Sequence, residues 1–90
     1  MAVYNMNLVH YGNSGIAITP TDDAPIKDTD GNIIQPLLWV GGAGNVAVKT
    51  ATGQSITFTA VPAGTLIPIM VSEVEATGTT ATLIVGIYSM

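Results

Sequence analysis

The sequence predicts an all-β protein, a single small antiparallel β-sandwich or barrel. Three observations predict it. First, side chains alternate with a period of two: Val46 and Val48 oppose Ala47 and Lys49, and Ile56, Phe58 and Ala60 oppose Thr57 and Thr59. Second, turns rich in glycine or proline separate such runs at short, fairly even spacing. Third, glycine or proline interrupts most windows long enough for an amphipathic helix, while Thr, Val and Ile are plentiful.

The elements follow in order. Met1 to Tyr11 alternates, with Tyr4, Met6 and Leu8 on one face, and reads as an extended arm or edge strand. Gly12-Asn13-Ser14-Gly15 is a turn, and Ile16 to Thr19 a short strand stopped by Pro20. Residues 1–15 are thus an N-terminal arm or edge strand, and residues 16–90 the sandwich or barrel. Thr21 to Asn32 is an acidic surface loop, in which Asp30-Gly31 makes a tight hairpin between Ile26 and Ile33. Ile33 to Val40 is the next strand, with Pro36 at an edge, a bulge or the strand's start because it lacks an N–H.

Leu37 to Val74 forms a meander. Gly41 to Asn45 is a turn, Val46 to Thr50 a strand, Thr52-Gly53 a hairpin connection and Ser55 to Val61 its return. Pro62-Ala63-Gly64 turns the chain into a run from Thr65 to Val74. A turn centred on Gly78 follows. Leu83 to Tyr88 closes the domain; it is apolar on both faces, so it is central to a sheet or at an interface. Gly86 admits a neighbouring backbone or large side chain.

Charge narrows the function. Two lysines and no arginine stand against six acids, a net charge of −4. So few cations cannot neutralise a run of phosphates, which argues against nucleic acid and against an anionic membrane surface. Charged residues make up 9% of the chain, against about 25% in an ordinary soluble domain, and hydrophobic ones 48%. A 90-residue chain buries only roughly 60–65% of its unfolded surface. A partner surface would therefore stabilise it, and little charge opposes association. No apolar run approaches the ~20 residues of a membrane span, and no basic region followed by an apolar core marks a signal peptide. The lack of cysteine excludes disulfides and thiolate metal sites.

Candidate chemistry is thin. Asp28-Thr29-Asp30-Gly31-Asn32 opens like a calcium loop, but glycine falls at the fourth position and Trp39 at the twelfth, so a hairpin turn is the better reading. Gly41-Gly42-Ala43-Gly44 leads into a strand pattern, where a phosphate-cradling loop needs a helix. His10 is the only histidine and reads as a surface or interface residue. Glu73 and Glu75 share one strand face, and a solvated or interface acidic face suits them better than acid/base work. Phe58 looks like core, and Trp39 like core or an interface anchor. The chain is expected not to be an enzyme and to need no cofactor or metal.

The order of the segments resembles a known family. It comprises the small β-rich proteins on the heads of tailed bacteriophages and gene transfer agents, often called the head-spike base family. The resemblance rests on Leu38-Trp39-Val40-Gly41-Gly42-Ala43-Gly44-Asn45-Val46-Ala47-Val48 and on Ser55-Ile56-Thr57-Phe58. It continues with Val61-Pro62-Ala63-Gly64-Thr65, Ile67-Pro68, Ala76-Thr77-Gly78-Thr79-Thr80-Ala81-Thr82 and Ile87-Tyr88. Upstream, Ala17-Ile18-Thr19-Pro20-Thr21-Asp22 looks like the family's opening segment. Met1 to Tyr11 matches nothing in it. Family members often carry arginines around the strand holding Met70, Ser72 and Glu73; this chain has none, which leaves that face neutral to acidic.

The resemblance implies a structural virion protein on the outer surface of the head, made in the bacterial host cytoplasm. It would decorate or cement the capsid or form a head-spike base. Its implied partners are the major capsid protein, further copies in a homo-trimer or homo-pentamer, and a spike or fibre protein. The expected self-association surface is Trp39, Met70, Leu83, Val85, Ile87 and Tyr88. The expected capsid contact is Tyr4, Met6 and Leu8. The alternative is a carbohydrate- or receptor-binding module of a spike or fibre, using Tyr11 with Asn13 or Trp39 with Asn45.

Overall fold

The structure, a computed structural model, describes residues 12–89. Seven strands and no helix make up this part: β1 (Ser14–Ala17), β2 (Leu37–Gly42), β3 (Gly44–Thr50), β4 (Ser55–Val61), β5 (Thr65–Ile67), β6 (Val71–Val74) and β7 (Thr82–Tyr88). They form two antiparallel sheets, one in the order β1-β7-β2-β5 and one in the order β4-β3-β6. The fold is an all-β sandwich.

Alternation explains the core. Leu38 and Val40 of β2, Ile84 of β7 and Ile67 of β5 point inward from the first sheet. Val46 and Val48 of β3, Val61 of β4 and Val71 and Val74 of β6 meet them from the second. Phe58 and Ile56 pack against this cluster from its edge. β7 lies between β1 and β2, as its two apolar faces require. A Cβ at Gly86 would lie 3.0 Å from Ile18 Cδ1 and 3.1 Å from Pro36 Cγ, so the missing side chain is what lets those two cross β7.

Several expected elements shift. β1 starts at Ser14, inside the expected turn, because Ser14 and Gly15 pair with Tyr88 and Ile87. The strand from Ile33 begins only at Leu37: Pro36 precedes it, and Ile33 makes just an isolated bridge to Lys27. The run from Thr65 to Val74 is two strands, because Pro68 cannot donate to a ladder and the chain crosses between sheets through Ile69 and Met70. Gly41 to Gly44 likewise is a corner between sheets. On β4 the alternation breaks after Phe58. Ala60 takes φ +56°, its N–H donates to Asn45 Oδ1 at 2.9 Å, and Val61 turns inward in its stead.

The loop from Ile18 to Ile26 seals one edge. Thr21 N–H donates to Val74 O and Ile26 N–H to Ser72 O, so the free edge of β6 is covered. The Asp28 carboxylate accepts the backbone N–H groups of Asp30 and Asn32, each at 2.9 Å, and closes the Gly31 turn. Its oxygens are thus spent on the turn, as the hairpin reading requires.

Leu38 has no exposed surface and sits on the strand shared by β5 and β7. Leu38→Ala is expected to cost about 2–5 kcal/mol. Urea unfolding checks this: the midpoint falls while the slope stays unchanged.

Candidate functional site

The first sheet has an inner face in the core and an outer face that is also apolar. Register fixes its members. Trp39 lies opposite Val85 on one side and Leu66 on the other, and Leu37 lies opposite Ile87. Directly paired residues of an antiparallel ladder share a face. Leu37, Trp39, Leu66, Val85 and Ile87 are therefore one continuous surface. Leu83 extends it, since a Cβ on Gly41 would touch its Cβ at 2.9 Å.

Much of this surface meets water. Leu83 is 75% exposed, Trp39 42% and Leu66 39%. Val85 and Ile87 are half-buried. Leu83 also takes φ +54°. A leucine in the left-handed region costs roughly 1–2 kcal/mol relative to ordinary strand backbone. The fold thus holds its most exposed large apolar side chain on strained backbone, an arrangement that suits a binding anchor.

Four of the six residues expected for self-association, Trp39, Leu83, Val85 and Ile87, come together here. Met70 and Tyr88 do not join the flat face. They line a groove at its end, where Leu37 and Ile87 belong to both. Leu66 was not expected; its place directly across from Trp39 depends on the split at Pro68, which local alternation does not show. Tyr4, Met6, Leu8, His10 and Tyr11 lie outside the described residues.

A second cluster is acidic. Carboxylate oxygens of Asp23, Glu73 and Glu75 all lie within 4.8 Å of one another. Glu73 and Glu75 share a face, as the sequence implied. Both are only half-buried, yet the Oε1 atom of each is shut off from solvent and has no hydrogen-bond partner. The other Glu75 oxygen accepts the Asp23 N–H at 3.3 Å. Hydrogen bonding with Glu73 and then desolvation raise the Glu75 carboxyl above its ordinary value, and the Glu73 and Asp22 charges add repulsion. Asp22 goes the other way: the backbone N–H and the hydroxyl of Thr77 bind its carboxylate at 2.9 and 2.7 Å and lower it. These bonds tie the acidic loop to the Gly78 turn.

The glutamate pair lines neither of two grooves formed by the described residues. The Asn45 carbonyl accepts the Thr80 and Ala81 N–H groups and its side chain accepts the Ala60 N–H, so Asn45 supports the corner.

Comparison with known proteins decides the family. A chain in the capsid of a native gene transfer agent particle, a structure computed with C5 symmetry, superposes with a TM-score of 0.71. It is 30% identical, over 97% of this chain and 99% of its own length. This chain belongs to that capsid-related family. No protein-family model and no curated protein matches. The two chains share the sandwich fold described above.

The glutamate pair makes a pH prediction. Folding raises the Glu75 pKa, so its stabilising contribution is full below the ordinary value of 4.5 and is lost as pH rises through the raised one. Asp22, lowered on folding, contributes above its ordinary 3.8 and loses that as pH falls through the lowered value. Glu75→Gln is expected to melt higher than the parent at about pH 8, with the gap closing toward about pH 4. Thermal scans at the two pH values check it.

Proposed function

We propose that the protein is a structural component on the outer surface of a tailed-phage or gene transfer agent head, as a decoration, cement or head-spike base protein. The observation that carries this reading is the exposed apolar face of Trp39, Leu66, Leu83 and Val85 on a sandwich of the capsid-related family. Copies self-associate through this face into a trimer or pentamer around a symmetry axis, and the ring seats on the major capsid protein. The mechanism is adhesion: binding only to the assembled shell stabilises that shell by mass action.

The energetics fit. Fully burying one large apolar side chain is worth about 1.5–3 kcal/mol, so three such anchors per copy supply much of a stable contact. The strain at Leu83 is tolerable in an assembly that buries it. The low charge removes the repulsion that keeps ordinary domains apart. Such a protein is made in the host cytoplasm and acts on the particle, without chemistry of its own.

Leu83→Gly separates stability from function. Glycine relieves the left-handed backbone, which offsets much of the propensity cost, so the variant is expected to melt within a few degrees of the parent or above it. It should nonetheless lose self-association and binding to empty mature heads, as should Trp39→Ala. Light scattering across a dilution series and co-sedimentation with heads test this. Unchanged oligomer order and unchanged head binding in both variants would contradict the reading.

A further inference from the structure

Among the described residues β4 is an open edge. In the second sheet it pairs with β3 alone, while the opposite edge strand, β6, is covered by the segment from Thr21 to Ile26. The devices that blunt an exposed edge are missing from residues 55–59. They hold no charge and no proline, and the strand stays regular until the bulge at Ala60. Ser55, Thr57 and Thr59 stand exposed on one face. Ile56 and Phe58 turn toward the core on the other, yet both stay only half-buried at its margin.

The ladder fixes which backbone groups face outward. Ala47 of β3 lies opposite Thr57. Its N–H donates to Thr79 Oγ1 at 3.0 Å and its carbonyl accepts the Glu75 N–H at 2.8 Å, so both groups of Ala47 face away from β4. Ala47 and Thr57 are therefore a non-hydrogen-bonded pair, and the N–H and C=O of Thr57 point out of the sheet's edge. Alternation gives Ser55 and Thr59 the same direction and Ala60 the reverse, in keeping with the bond from Ala60 N–H to Asn45. Among the described residues no strand or loop pairs with this outward row.

We propose that two copies of the chain join through β4, antiparallel about a two-fold axis at Thr57, so that the second sheet runs on from one copy into the other. The register follows from the outward row. Thr57 exchanges both backbone bonds with Thr57 of the second copy, and Ser55 does so with Thr59 of that copy. Ile56 then meets the second copy's Phe58 in the closer, non-hydrogen-bonded position, an aromatic–β-branched contact that covers both. The axis lies at Thr57 because residues 55–59 are centred on it and Ala60 ends the regular strand. A second β4 is also the edge that matches in length, since β1 has four residues and β5 three. Charge permits the pairing. Neither strand brings any to the seam, and Glu73 on β6 goes to the far end of the joined sheet. The two Glu73 strands are then about 24 Å apart at ~4.8 Å per strand, well beyond the roughly 8 Å screening length of physiological salt. Pairing runs in the plane of the second sheet and leaves the outer face of the first open. The contact is thus separate from the apolar one and does not rest on the virion reading.

The test is residue-resolved amide exchange by NMR on the intact protein across a dilution series. Ile56 and Phe58, whose N–H groups belong to the β3 ladder, are the internal controls. Ser55, Thr57 and Thr59 are expected to exchange fast at high dilution and to slow about tenfold or more as concentration rises, while the controls stay slow throughout. Thr57→Lys and Thr57→Glu each set like charges across the axis, on a side chain that faces water. Each should melt within a few degrees of the parent and lose the concentration-dependent protection. Mixing the two variants in equal amounts puts opposite charges there and should restore it. Fast exchange of Thr57 at every concentration would overturn the proposal, and so would a mixture no better protected than either variant alone. Protection equal at every dilution that survives Thr57→Lys would assign the edge to another part of the same chain and overturn it as well. A protein that forms this pair yet ignores heads would keep the proposal and sink the virion reading; one that binds heads without forming it would do the reverse.

Discussion

The pairing of β2 with β7 is the constraint on which the sandwich depends. Leu37, Leu38, Trp39 and Val40 pair with Ile87, Gly86, Val85 and Ile84, the most continuous apolar ladder among the described strands. One face of the pair supplies Leu38, Val40 and Ile84 to the core. β1 and β5 add to its two sides, and β3, β4 and β6 close over its inner face. The ladder joins segments forty or more residues apart; the connecting chain leaves the sheet at Gly41 to Gly44, returns at Pro62 to Gly64, leaves again at Pro68 to Met70 and returns between Val74 and Thr82. The inner face is sealed by the second sheet, and among the described residues the outer face remains uncovered.

That leftover face carries the proposed function. In a monomer it would be a liability: a tryptophan and two leucines in water, with one leucine on left-handed backbone. In a particle it would be a ready contact. The same sparseness of charge that makes the free chain prone to association suits a subunit surrounded by protein. Asp22, Asp23, Glu73 and Glu75 sit elsewhere, on β6 and the segments beside it, where Thr77 holds Asp22 and the Asp23 N–H binds Glu75. The molecule thus separates an apolar sheet face from an acidic edge. The likeness to a gene transfer agent capsid chain concerns this whole architecture and not a fragment of it, since nearly all of both chains superpose.

Much of this was legible in the sequence, for physical reasons. Period-two alternation placed Val46, Val48 and Phe58 correctly. The two-sided apolar character of Leu83 to Tyr88 left a central strand or an interface open, and the structure makes the strand central; Gly86 announced a close crossing. What alternation cannot show is which sheet a strand joins. Gly41 to Gly44 looks like a hairpin turn whether it folds back or crosses over, and only the partners of β2 and β3 distinguish the two. Leu66 was invisible as a site residue for that reason. Ala60 was assigned to the wrong face because its neighbours obey the period of two, while Asn45, distant in sequence, captures its N–H and forces the bulge. The pairing of Glu73 with Glu75 was visible, but Asp23 joins them only through the fold of the acidic loop.

The central claim is that the outer face of the first sheet is buried on the particle. Hydroxyl-radical footprinting of the protein, free and bound to mature heads, tests it most directly. Binding should protect Trp39, Leu66 and Leu83 from oxidation while Phe58, Thr57 and Thr59 on β4 keep their free rates. Equal oxidation of Trp39 and Leu83 in both states, with protection confined to the β4 side, would contradict the account.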